Sequence, residues 1–254
     1  MTGFLTVDGV QLEYRWSGQD GNGPVIVLLH EGLGSVAMWK EFPDRLAEAT
    51  GARVFVYSRQ GYGQSDPIAA PREPDYMHHE AEVVLPAVLA AAGIERPILF
   101  GHSDGGSIAL IHAARRPVIG LVLEAPHVFV EALTVDSIAQ AKAVFEATDL
   151  GVKLGRYHRD AAGAFWGWND IWLDPRFLAW NIKDRLTAIA CPILLLQGVD
   201  DEYGTRAQLD AIAAQTSGAE IVLLDRCGHS PHRDQQGEVL NRTAAFVQTV
   251  TAAA

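Results

Sequence analysis

Short apolar runs punctuated by glycine and proline recur along the chain. Most alternate with amphipathic stretches of about ten to fifteen residues, a rhythm that predicts a mostly parallel sheet with crossover helices. The opening departs from it: Phe4 to Val7 and Val10 to Trp16 flank Asp8-Gly9, a dipeptide suited to the positive φ angles of a tight hairpin. The sheet is therefore expected to begin with antiparallel strands. Further strands read as Val25 to Leu29, Val54 to Tyr57, Ile98 to Phe100, Ile119 to Leu123, Ile193 to Leu196 and Ile221 to Leu224, each continuous enough in Val, Ile and Leu to be covered on both faces. Helices are predicted for Trp39 to Ala49 with a stop at Gly51, Tyr76 to Ala92 with an interruption at Pro86, Ser103 to Ala114, Arg206 to Gln215 and Glu238 to Thr251. The interval Phe129 to Ala190 separates two strands and looks helical, which marks it as an inserted cap. Its aromatics Phe165, Trp166, Trp168, Trp172, Phe177 and Trp180 supply apolar area, most of it for a small core of the cap's own.

Composition narrows the class. At 254 residues and 48% hydrophobic, the chain suits one large domain, or one domain carrying an insertion. Twenty Lys and Arg against 31 Asp and Glu give a formal charge of −11, which repels nucleic acid and anionic membrane surfaces. The only cysteines, Cys191 and Cys227, supply no disulfide framework, so a reducing compartment is expected. Met1 to Val10 lacks the basic flank and apolar run of a signal peptide, and no apolar stretch suffices to span a bilayer. These observations predict a cytoplasmic protein.

The sharpest chemical signal is Gly101-His102-Ser103-Asp104-Gly105, between the strand ending at Phe100 and a helix beginning near Gly106. It matches a nucleophile elbow. A strand that turns abruptly into a helix strains the serine backbone and leaves no room for side chains beside it, hence two glycines. The serine hydroxyl then stands at the carboxyl end of the sheet, near backbone N–H donors and the positive end of a helix dipole.

A serine hydroxyl needs a base with a pKa near neutrality, in practice histidine. Among nine histidines, His229 in Arg226-Cys227-Gly228-His229-Ser230-Pro231 is best placed, in a loop directly after the last strand. His232 opens the final helix and His112 lies within one; His30, His102 and His127 stand at strand ends, where they can line a pocket. A carboxylate must hold the imidazole in one tautomer. Asp201, in Gly198-Val199-Asp200-Asp201-Glu202, is the choice, with Asp200 second and Glu124 third. Charge developing on a carbonyl oxygen needs two backbone donors. Asp104 supplies the first, and Gly32 in His30-Glu31-Gly32-Leu33-Gly34-Ser35 the second, with Leu33 as the alternative.

With these residues in order, Ser103 then acid then His229, the chain resembles the α/β-hydrolase superfamily over nearly its whole length. The glycine-rich loop after Leu29, the Ser58-Arg59-Gln60-Gly61-Tyr62-Gly63-Gln64-Ser65 turn and the cap add to the likeness. The resemblance implies an α/β-hydrolase fold with an eight-stranded sheet, helices on both faces, a core formed by 1–128 and 191–254, and a lid formed by 129–190. It also implies acyl transfer to water without a cofactor, on a small or medium ester-like substrate. The substrate pocket is expected to include His30, Glu31, His127, Trp166, Trp168 and Tyr203. Two departures stand out: His30-Glu31 replaces the family's His-Gly, and the nucleophile is followed by Asp104, whose ordinary role is a charge at a helix start.

Three rivals remain. Carbon–carbon hydrolases of the same superfamily use the same triad on diketone-like compounds. Gly32-Leu33-Gly34-Ser35-Val36-Ala37 fits the dinucleotide pattern G-x-G-x-x-A, but two residues separate it from the strand and the triad candidates would be left unexplained. A noncatalytic binder could keep the fold. No metal motif appears: His79-Glu80-Ala81-Glu82-Val83 lacks the second histidine of H-E-x-x-H. Oligomeric state is not encoded in any pattern of this chain.

Overall fold

Side chains alternate across a strand, so a strand apolar at every position must be covered twice. Ile26 and Leu28 join one apolar layer, while Val27 and Leu29 join the other. The computed structural model describes residues 1–19, 23–69 and 71–252. Eight strands form one sheet: β1 (Thr2–Val7), β2 (Val10–Ser17), β3 (Val25–Leu29), β4 (Arg53–Tyr57), β5 (Ile98–His102), β6 (Gly120–Glu124), β7 (Ile193–Gly198) and β8 (Ala219–Leu224). The spatial order is β1-β2-β4-β3-β5-β6-β7-β8, and only β2 runs against its neighbours. Asp8 and Gly9 have φ of 48° and 83°, the hairpin geometry their types predict. This is the α/β-hydrolase fold that the resemblance implied.

The helices are α1 (Phe42–Thr50), α2 (Tyr76–His79), α3 (Leu85–Ala91), α4 (Asp104–Ala113), α5 (Ala132–Ala147), α6 (Leu150–Leu154), α7 (Ala161–Leu173), α8 (Lys183–Leu186), α9 (Ala207–Ala213), α10 (Pro231–Asp234) and α11 (Gln236–Ala252). Phe42 and Leu46 of α1 and Val239 and Val247 of α11 cover the sheet face that carries Ile26, Leu28 and Phe100. Leu85 and Val88 of α3, Ile108 and Ile111 of α4, and Leu209 of α9 cover the other. Burying one such leucine contributes about 1.5–3 kcal/mol. The interval between the neighbouring strands β6 and β7 is helical, as its composition suggested, and holds α5 to α8.

Two expectations are corrected. Pro86 does not break the helix: Glu80–Val84 widens into a π-turn in which the Leu85 N–H bonds the Glu80 carbonyl. The wider turn accommodates a ring that lacks an N–H and crowds the carbonyl four residues back. His232 does not open the last helix but lies in α10, a separate turn before α11.

The chain adds β4 on one side of β3 and β5 on the other. The loops after β3 and β5 therefore diverge and leave a crevice at the carboxyl edge, the usual place for ligands in such sheets. Gly105 marks how tightly this region closes, since a Cβ there would lie 2.0 Å from the Leu29 carbonyl oxygen, whereas a Cβ at Gly237 meets nothing within 4 Å. Gly105→Ala should lose about 1–3 kcal/mol or more to overpacking, and its melting temperature should fall by about 2–4 °C per kcal/mol. Gly237→Ala, measured beside it by thermal unfolding, should match or slightly exceed the wild type.

Candidate active site

β5 delivers Ser103 to the crevice through a backbone that turns sharply, with φ 53° and ψ −117°. Residues around it are excluded by contact: a Cβ at Gly101 would lie 2.4 Å from the Gly105 carbonyl oxygen. The turn is held on both sides, because Ser103 N–H donates to Glu124 O at 2.9 Å while Ser103 O accepts from Gly106 and Ser107. Asp104 and Gly105 open α4, where the first N–H groups of a helix have no partner within it.

His229 approaches from the loop after β8. Its Nδ1 bonds Asp201 Oδ1 at 2.8 Å, and the same oxygen accepts from the Tyr203 and Gly204 backbones, while Gln197 Nε2 donates to Oδ2. Burial pushes the Asp201 carboxyl up, but the hydrogen bond and charge of His229 outweigh it and hold the group below its ordinary value. The other acids have separate partners. Glu202 Oε2 accepts the His229 backbone N–H at 3.2 Å, and Glu124 Oε2 accepts from His232 Nδ1 at 2.6 Å. Asp200 contributes its backbone N–H to Cys227 O. Of the three acids weighed as partner for His229, the imidazole meets Asp201.

A small cavity of about 120 Å³ lies over these groups, lined by Glu31, Gly32, Leu33, His102, Ser103, Asp104, His127, Thr134, Ile138, Trp168, Trp172, Tyr203, His229 and Ser230. None of these is Lys or Arg. His127 lies 5.7 Å from His229, ring to ring, and burial, reinforced by that neighbour's charge, pushes it down to about 3, so it remains neutral. His102 donates from Nε2 to the His229 carbonyl at 2.6 Å, and its Nδ1 faces Glu31 Oε2 at 3.4 Å. Burial opposes both charges here, yet each supports the other: Glu31 lies well below its ordinary value and His102 above its own.

Two expected pocket residues sit elsewhere. His30 is completely buried beneath the cavity, its Nε2 accepting the Arg59 backbone N–H at 3.1 Å. Trp166 and Trp168 are two residues apart on α7, which turns them about 200° from one another. Trp168 reaches the cavity, and Trp166 packs on Phe145 under Lys142. Trp172, one turn beyond Trp168, shares its face and was missed as a wall residue, although helical spacing from Trp168 marks it. Thr134 and Ile138 were also missed; nothing local in the sequence shows where α5 docks. His102, Glu124 and His232 bring potential metal-ligand atoms within 4.8 Å of one another, but a metal ion there would displace the His232–Glu124 hydrogen bond.

The arrangement offers a hydroxyl, an imidazole whose far nitrogen is fixed by a carboxylate, and backbone N–H groups at a helix start. Together these can take a proton from the hydroxyl as it bonds to carbon and hold negative charge on an adjacent oxygen.

Comparison with known proteins identifies the family to which the chain belongs. The Alpha/beta hydrolase family matches residues 26–243. The sn-1-specific diacylglycerol lipase ABHD11 of Mus musculus is 30% identical over 42% of this chain, and the aligned stretch spans only 33% of that lipase. The 2-hydroxy-6-oxononadienedioate/2-hydroxy-6-oxononatrienedioate hydrolase of Paraburkholderia xenovorans is 26% identical over 87% of this chain and 84% of its own. Among solved structures, a bacterial membrane phospholipase A superposes with a TM-score of 0.81 at 22% identity, covering 99% of this chain and 86% of that one. Among the described residues no helix is long and apolar enough to cross a membrane.

The Glu31–His102 pair has a pH signature. His102 binds its proton more tightly when folded, so its contribution is full below its ordinary 6.5 and disappears as pH rises through the raised value. Glu31 contributes above its ordinary 4.5 and loses that contribution as pH falls through the lowered value. The melting-temperature deficit of Glu31→Gln should therefore be largest at about pH 6 and shrink towards about pH 9, as calorimetry across pH can check.

Proposed function

From the membership of this chain in the alpha/beta hydrolase family, we propose that it is a serine hydrolase cleaving a small or medium carboxylic ester through a covalent acyl-enzyme. Ser103 Oγ attacks the carbonyl carbon and His229 takes its proton. Asp201 fixes the imidazole tautomer through Nδ1 and stabilises the imidazolium that forms. The Gly32 and Asp104 amides receive the oxyanion, each such donor being worth about 10²–10³ in rate. The same histidine returns the proton to the leaving alcohol and then activates water, which releases the acid and restores Ser103.

The observation that carries this reading is that His229, bonded to Asp201 at 2.8 Å, borders the same small cavity as Ser103. Walls supplied by Leu33, Ile138, Trp168 and Trp172, with no Lys or Arg among them, suit an uncharged acyl or alcohol group. The 129–190 segment acts as the lid, because Thr134, Ile138, Trp168 and Trp172 all come from it. Its closeness to the core makes cap movement the route by which longer substrates enter. Carbon–carbon hydrolysis is the second reading, supported by the near full-length relative that acts on a dioate. A lining without Lys or Arg, in which His102 already faces Glu31, weighs against a doubly anionic substrate of that kind.

A fluorophosphonate probe should label the wild type at a single serine, and Ser103→Ala should abolish the labelling. Asp201→Asn should lower kcat on p-nitrophenyl esters by about 10⁴-fold, whereas Asp200→Asn should stay near wild type. Turnover of short p-nitrophenyl esters is expected to exceed that of a vinylogous diketone; strong preference for the diketone transfers the assignment to carbon–carbon hydrolysis.

A further inference from the structure

Arg59 follows β4 and is 1% exposed, although its guanidinium carries a permanent charge. Its fork spans two consecutive carbonyls in the loop after β3: Nη1 donates to His30 O at 2.5 Å and Nη2 to Glu31 O at 3.0 Å. Glu31 O also accepts from the Gly34 N–H at 3.1 Å and from His30 Nδ1 at 2.6 Å. The His30 tautomer is settled by its other nitrogen, because Nε2 accepts the Arg59 backbone N–H and the proton must sit on Nδ1. Burial, with the Arg59 charge next, holds His30 well below its ordinary value, so the ring stays neutral and keeps this role across the working pH range.

Three donors thus fasten one carbonyl. A trans peptide is planar, so the Gly32 N–H points opposite to the Glu31 carbonyl and away from the guanidinium. Rotation of that peptide would break all three bonds. Gly32 itself lies against Trp168, where a Cβ would approach the indole to 2.2 Å.

The same guanidinium reaches the other half of the site. Arg59 Nη2 is 4.0 Å from Asp104 Oδ2, and both side chains are 1% exposed. Asp104 accepts from Tyr76 OH at 2.7 Å and from Trp172 Nε1 at 3.2 Å. A buried guanidinium needs a nearby counter-charge, and Asp104 supplies it from the residue whose N–H opens α4.

We propose that Arg59 is the positioning residue of the oxyanion site, setting the Gly32 N–H through the Glu31 carbonyl and the Asp104 N–H through its carboxylate. The proposal rests on the serine-hydrolase reading. It accounts together for the charged residues at 31, 59 and 104. Glu31 directs its side chain to His102 and lends only its carbonyl to Arg59, while the Asp104 carboxylate faces Arg59 instead of standing free in the cavity.

Paired oxo and thiono esters test it, because thiocarbonyl sulfur is a poor hydrogen-bond acceptor and responds weakly to oxyanion donors. Two variants are needed. Arg59→Lys keeps the charge but cannot fork across two carbonyls, and Arg59→Met/Asp104→Asn removes both charges without leaving a carboxylate buried alone. In each, kcat for the oxo ester should fall about 10²-fold with KM changed by no more than about twofold, while thiono ester turnover falls far less. An equal fall for both esters, a loss confined to KM, or full activity in Arg59→Lys overturns the proposal.

If neither variant folds, the wild type phosphonylated at Ser103 decides by crystallography. The phosphonyl oxygen should lie about 2.7–3.1 Å from the Gly32 and Asp104 nitrogens, with Glu31 O still on Arg59. Placement of that oxygen on Leu33 N–H, or a rotated Glu31–Gly32 peptide, overturns it. A wild type that accepts no phosphonate and cleaves no ester overturns the hydrolase reading and this proposal together. An active wild type with an unchanged oxo-to-thiono ratio in the variants overturns this proposal alone.

Discussion

The turn at Ser103 is the constraint on which the site depends. A non-glycine residue at φ 53° is costly unless the structure around it allows no alternative. Here β5 is paired on both edges up to this point, and α4 begins one residue later. Gly101 and Gly105 let the β5 backbone, the α4 backbone and the Leu29 carbonyl approach more closely than any Cβ would permit. Folding energy from both apolar layers therefore keeps the serine at the cavity wall while its neighbours are fully packed.

Around that turn, charge is distributed so that each carboxylate is held by partners of its own. Asp201 orients His229 through its ring and Glu202 holds the same residue through its backbone. Glu124 is taken by His232, and Glu31 by His102, which in turn donates to the His229 carbonyl. His127 is kept neutral beside this set. The pairing removes competitors for the His229 ring and leaves Asp201 as the carboxylate bonded to it. An acidic chain thereby keeps a small apolar cavity at its carboxyl edge without an uncompensated buried charge.

Much of this was legible in the amino-acid order because it is local. Asp8-Gly9 has the residue types a tight hairpin needs, the apolar runs of β3 to β7 are long enough to demand two covers, and the elbow glycines flank their serine within five residues. Asp201 was separable from Asp200 only as a choice, since the turn after β7 decides which carboxylate meets His229. Contacts made across long separations were not legible. Trp166 and Trp168 read alike until α7 fixes their directions, and His30 looked like a wall residue until Arg59 claimed its ring nitrogen from the neighbouring strand end. The π-turn before Pro86 arises because packing of α2 and α3 against the sheet keeps the helix running through a residue that would otherwise end it. Arg59 reads in the sequence only as one residue of the Ser58 to Ser65 turn, and its fork on two carbonyls depends on how the loops after β3 and β4 meet.

Under the proposed function, Ser103 forms a covalent bond to substrate carbon while its proton moves to His229. Rapid acid quench of the enzyme mixed with a p-nitrophenyl ester, followed by peptide mass analysis, measures this directly. Acyl mass is expected on the peptide that carries Ser103, appearing with a burst of p-nitrophenol close to one equivalent per chain. An acyl group found on a different residue, or product formed at every quench time with no adduct and no burst, contradicts it.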